Sequence, residues 1–157
     1  MSPEHAAKLR TLVRGRTAAA LGTLHEGAPF VSMVPFALLP DGSAFIVHVS
    51  SLAAHTKDMR GDPRVSLLVM QAEGEGTQAQ ALARVSVQGE ARECASGTPE
   101  ESAARAAYLA RFPEAEPLTG FGDFAFFAIR PVQARFVAGF AQAMSTTGES
   151  LAKALAA

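Results

Sequence analysis

The chain has 157 residues, 48% of them hydrophobic, with 14 basic and 15 acidic side chains for a formal net charge of −1. That size suits one domain around one sizeable core, and the near balance of charge excludes a sequence-wide field that would draw nucleic acid or an anionic membrane. One cysteine, Cys94, excludes an intrachain disulfide, and no Cys/His spacing matches a metal site.

No apolar run approaches the ~20 residues that cross a bilayer, and the opening SPEHAAKLR lacks the order of a secretory leader. A cytoplasmic protein is expected. Ser2 and Pro3 suit an N-cap and first helical residue, and Ala6, Leu9, Leu12 and Val13 recur at helical spacing, so a short amphipathic helix should end near Gly15. Lys8, Arg10, Arg14 and Arg16 read as its solvated face. Thr17 to Leu24 follows as a strand, with His25, Glu26 and Gly27 as the turn.

In the second strand Phe30, Ser32, Val34 and Phe36 alternate with Val31, Met33, Pro35 and Ala37, so both faces are largely apolar. Pro35, lacking an N–H, belongs at a bulge or a strand edge. Pro40, Asp41 and Gly42 turn the chain into a third strand, Phe45 to Val49. Ser50 and Ser51 stop it, and Leu52 to Arg60 reads as a helix ended by Gly61, Asp62 and Pro63.

Arg64 to Met70 returns to strand. AEGEGTQAQA then reads as a hairpin loop, and Leu82 to Glu93 alternates cleanly, with one side wet or lining a cavity. Thr98, Pro99, Glu100 and Glu101 form a capping box for a helix reaching about Phe112, with Tyr108, Leu109 and Phe112 on its buried stripe. Asp123 to Arg130 and Ala134 to Val137 make a last strand broken at Pro131. Six strands with helical additions argue for a mainly β, α+β chain built as a small antiparallel barrel.

The chemical interest lies at the joint after the third strand. Two hydroxyls, Ser50 and Ser51, precede the unpaired N–H groups that open a helix, with His55, Thr56 and Lys57 one turn on, an arrangement able to hold a phosphate. The alternative is that the serines only cap the helix, which stabilises it by about 1 kcal/mol.

The stretch SSLAAHTKDMRGDPRVSLLV resembles the segment S-x-L-A-x-H-T-x-N-hydrophobic-x-x-D-P-R-V-S-L of the flavin-binding split-barrel proteins, the pyridoxamine 5′-phosphate oxidase-like superfamily, and in particular its haem-utilisation branch. RTAAALGTL, GAPFVSMVPFALLPDGSAFIVHVS, RVSVQGEARE and GFGDFAFFAIRPVQARFVAGFAQA are similar, in order, to its other strands. Asp58 stands where that family often has Asn. The resemblance implies a single six-stranded antiparallel split β-barrel domain with flanking helices. It also implies a homodimer with a cofactor groove between subunits, and FMN as the cofactor.

On that resemblance the FMN phosphate meets Ser50 and Ser51 with His55, Thr56 or Lys57, while Ser32, Met33 and Val34, and His48 and Val49, lie along the ribityl chain and ring. The expected activity is an FMN-dependent oxidoreductase of unspecified substrate, with no protein nucleophile, no metal and no membrane or nucleic-acid partner. Departures exist: the chain has no tryptophan and lacks the arginine-rich ending of the true oxidase, and Ser32 stands near a phosphate-gripping arginine of that enzyme. The haem-utilisation branch binds haem through a histidine near its C-terminus, whereas here the histidines are His5, His25, His48 and His55. The alternatives are a haem-binding or haem-degrading protein on the same barrel, or a binding module without cofactor.

Overall fold

A computed structural model describes residues 1–157. In chain order it contains α1 (Pro3–Gly15), β1 (Ala18–His25), β2 (Ala28–Pro35), β3 (Ala37–Leu38), β4 (Phe45–Ser50), α2 (Ala54–Gly61), β5 (Arg64–Met70), β6 (Arg84–Glu93), α3 (Pro99–Arg111), β7 (Phe124–Val137), β8 (Ala143–Thr147) and α4 (Gly148–Leu155). The eight strands form one antiparallel sheet in the order β2-β1-β5-β6-β7-β4-β3, with β8 also on β7. The two ends of that path are successive pieces of chain, β2 and β3, separated only by the buried Phe36. The sheet must therefore curl until its ends meet.

The expected strands are present, and two differences have physical causes. The second expected strand is split, because Pro35 ends β2 and the chain changes partner from β1 to β4 at Phe36. At the other proline the reverse holds: β7 runs unbroken through Pro131, opposite Gly89, where a register shift absorbs the missing N–H. β7 is long enough to carry β4 along its first half and β8 along its second. β8 and α4, in a tail for which the sequence gives no clear strand period, complete the α+β fold.

The β1–β2 hairpin turns on Glu26 and Gly27, at φ 51° and 80°, the left-handed pair that a two-residue turn between twisted strands requires. The main core fills the curl: Leu21, Phe36, Phe45, Val47, Leu67, Val85, Val87, Ile129 and Phe136 are buried there, closed over by Leu9 and Val13 of α1 and Leu151 and Leu155 of α4. A smaller cluster lies where Ala104 and Tyr108 of α3 pack on Ile46 and Phe126. Tyr108 is thus a packing residue, as its helical stripe predicts.

The basic α1 face is not simply solvated. Arg10 Nε donates to the Ala154 carbonyl at 2.8 Å, and Arg14 Nη2 donates to the Leu155 carbonyl at 2.6 Å. These guanidiniums satisfy carbonyls that the end of α4 leaves without helical partners. No helix in the chain is long and apolar enough to cross a membrane.

Candidate functional site

The hydroxyl-rich turn folds differently from its sequence pattern. α2 begins at Ala54, and its N-cap is Ala53, which offers no side-chain bond. Ser50 Oγ instead accepts the Leu52 N–H at 3.2 Å, closing a local turn. Thr56, fully buried, donates its hydroxyl proton to the Ser50 carbonyl at 2.6 Å. Ser51 donates its backbone N–H to Asp123 and receives long contacts of 3.4 Å from the Arg60 guanidinium. Lys57 points to solvent.

The remaining expected residues fall on two sides of the sheet. Val34 and Val49 are 2% and 4% exposed and belong to the main core. Ser32 lies on the inner face of β2, where its hydroxyl shares a hydrogen bond of 3.0 Å with His55 Nδ1 of α2. Burial pushes the His55 pKa down, against a weaker opposing pull from Asp58. Met33 points the other way, to the outer face, and is 65% exposed, as is Val31 at 69%. With Val132 these leave apolar side chains on the outside of the sheet, where a shallow trough of about 560 Å³ runs between β2 and β6, while Phe30, on the face of Ser32, is part-exposed at the hairpin end.

α2 also brings Asp58 to the mouth of the curl. Its carboxylate is buried, with Oδ2 accepting from the Thr23 hydroxyl at 2.8 Å and Oδ1 accepting from His25 Nδ1 at 2.7 Å. Burial works against this charge, but the bonds from His25 and Thr23 outweigh it and hold the carboxyl below its usual range. The same bond holds the His25 pKa up. The His25 ring is about half exposed and lies 5.5 Å from the Phe30 ring, centre to centre. A turn histidine of this kind reads as solvated from sequence. The available signal was Asp58 itself, a carboxylate three residues after His55 on the helix face that carries buried Met59.

His48 stands apart, on the far side of β4. Its ring stacks on Phe126 at 4.3 Å and touches Phe124 and Tyr108, and burial, aided by the charge of Arg105, lowers its pKa. It lines a cavity of about 420 Å³ with Ser51, Arg60, Cys94, Arg105 and Phe121. Both arginines there are already paired, Arg60 with Glu93 at 2.6 Å and Arg105 with Glu101 at 3.5 Å.

Comparison with known proteins gives this geometry its context. The pyridoxamine 5′-phosphate oxidase family profile matches residues 6–138. The chain is 39% identical over 145 residues to the chloroplastic haem oxygenase HOZ of Arabidopsis thaliana, spanning 90% of this chain and 43% of that protein. It is 30% identical over 131 residues to the haem oxygenase HutZ of Vibrio cholerae, spanning 80% of this chain and 71% of that one. A haem-binding protein from Mycobacterium smegmatis superposes with a TM-score of 0.85 at 34% identity, over 99% of this chain and 62% of that structure.

These relatives overturn FMN as the expected cofactor, and with it the FMN-dependent oxidoreductase: they bind or degrade haem. The turn agrees with them. The Thr56 hydroxyl proton and the His55 Nδ1 are spent within the chain, and no cation stands in the first turn of α2 except the outward Lys57. The matched profile covers most of the chain, which therefore belongs to the pyridoxamine 5′-phosphate oxidase family, on the side of its haem-utilisation branch.

Proposed function

We propose that this protein binds haem and opens the macrocycle oxidatively, using dioxygen and electrons from an external donor. The observation that carries the reading is the 39% identity to a haem oxygenase along 90% of the chain. The site chemistry is compatible with it. A tetrapyrrole needs apolar surface for its faces, a nitrogen base for its iron and limited access of bulk water. The β1–β2 hairpin offers apolar surface, in Phe30 on its inner face and Val31 and Met33 on its outer face, and imidazoles come from His25 at its end and His55 of α2.

In the same reading the curled sheet is a split barrel that works as a homodimer. β2 is an edge strand, paired only with β1, and it exposes Phe30, Val31 and Met33. An apolar edge of this kind is a liability in an isolated subunit and is removed by a second copy. Light scattering is expected to return twice the chain mass, and Met33→Glu, which places a charge in that strip, is expected to return one. A wild-type chain that stays monomeric would remove the two-chain groove.

Absorption spectroscopy tests the main claim. Ferric haem added to the purified protein should give a saturable, shifted Soret band. With ascorbate and air that band should then bleach, with release of iron and carbon monoxide. Haem that binds but persists under those conditions would reduce the function to haem carriage, and no Soret change at equimolar haem would end the reading.

A further inference from the structure

The geometry points to His25, held by Asp58, as the side chain that ligates the haem iron, an assignment that rests on the haem-binding reading above. An iron ligand must present a lone pair from a fixed ring at a surface the tetrapyrrole can reach. Iron-binding imidazoles gain basicity and a set tautomer when the other ring nitrogen donates to a carboxylate. The chain has four histidines.

His5 is spent at the start of α1, with Nδ1 on the Ser2 hydroxyl. His48 is 9% exposed behind Phe124, Phe126 and Tyr108. His55 is half-buried against Ser32. His25 alone has a carboxylate on Nδ1 and a half-exposed ring, so that Nε2 is left for an outside partner.

Its surroundings hold it in place. Asp58 cannot swing, because its second oxygen is bonded to Thr23, one strand position pair away on β1. Glu26 and Gly27 fix the hairpin immediately after His25. Across the strands the residue opposite His25 is Ala28, whose small side chain leaves room beside the ring, and the next residue on that face is Phe30, which supplies a flat apolar wall. Phe30 lies on the same face of the hairpin as His25, so the imidazole and the phenyl ring share one surface. A surface histidine needs no buried carboxylate to stay in solution, and a helix facing apolar strands does not need an aspartate. The pair is explained if Nε2 has a metal to bind.

The test uses the full chain and ferric haem. Wild type, His25→Ala, His25→Gln, Asp58→Asn and His48→Ala are titrated and followed by Soret absorption, and their ferrous forms by resonance Raman in the iron–imidazole stretching region. Wild type should show that stretch. His25→Ala should lose it and bind at least about tenfold more weakly, with added imidazole restoring the band. His25→Gln keeps a donor for Asp58, so its fold is protected, and it should lose the band as well.

Asp58→Asn should keep the stretch at lower frequency with affinity down roughly 10- to 100-fold, while His48→Ala should match wild type. An iron–imidazole band that survives in folded His25→Gln overturns the assignment and leaves haem binding intact. A wild-type protein that takes up no haem overturns both.

Discussion

Thr56 has no exposure to solvent, and its hydroxyl is the tie between α2 and the end of β4. Thr56→Val keeps the shape and removes one of the two hydrogen bonds to the Ser50 carbonyl, leaving the Ala53 N–H, which costs about 0.5–1.5 kcal/mol; urea denaturation should report it. Acid acts at Asp62, whose carboxylate receives the Arg64 guanidinium and backbone N–H and is held at a pKa of about 2, below its ordinary 3.8. Because the folded value is depressed, the pair favours the folded chain above the ordinary value, and that contribution fades as pH falls through about 2. An NMR titration of the Asp62 carboxyl should show the low midpoint, and Arg64→Ala, which keeps the backbone N–H but removes the guanidinium, should raise it toward the ordinary range. Burial pushes the Cys94 thiol up, so alkylation at neutral pH should be slow until the chain unfolds.

Elements with strong local punctuation were legible in the sequence: α1 and α3 start at Ser2 and Thr98 caps followed by proline, and β5 spans Arg64–Met70 as expected. The position of α2 was harder to read. Serines before a helical run look like caps, but Ser50 made a tighter turn with Leu52 and delayed the helix to Ala54. His25 meeting Asp58 was also beyond local pattern, since it joins residues 33 apart through a hairpin end and a helix face.

α4 shows what packing adds. Thr147 caps it by accepting the Ser150 N–H, yet it is seated by contacts that no periodicity reveals. A Cβ at Gly148 would collide with the carbonyl of Pro131, and one at Gly42, which already needs φ of +73°, would collide with the carbonyl of Ala152. Gly148→Ala should therefore lift α4 and expose Leu151 and Leu155. Leu155→Ala alone should lower unfolding stability by about 2–5 kcal/mol in chemical denaturation.

At the scale of the whole molecule, an α+β chain with a curled antiparallel sheet was legible, because alternation and turn residues divide most of the chain cleanly, whereas the six expected strands became eight through the break at Phe36 and the added β8. The ligand was not. Hydroxyls and a helix start suit phosphate in general, whereas discrimination between flavin and haem depends on which donors are already spent, and that is decided by tertiary bonds such as His55 with Ser32. The exposed strip on β2 belongs to this scale too, since it is the surface that the proposed homodimer would cover.

The bonds from Arg10 and Arg14 to the carbonyls of Ala154 and Leu155 join residues 144 and 141 positions apart. On the ribosome, α1 therefore emerges long before its cover has been made. Leu9, Leu12 and Val13 lack the cover of Leu151 and Leu155 until α4 has been made, and a nascent chain carrying that uncovered stripe is a natural client for a chaperone until α4 emerges.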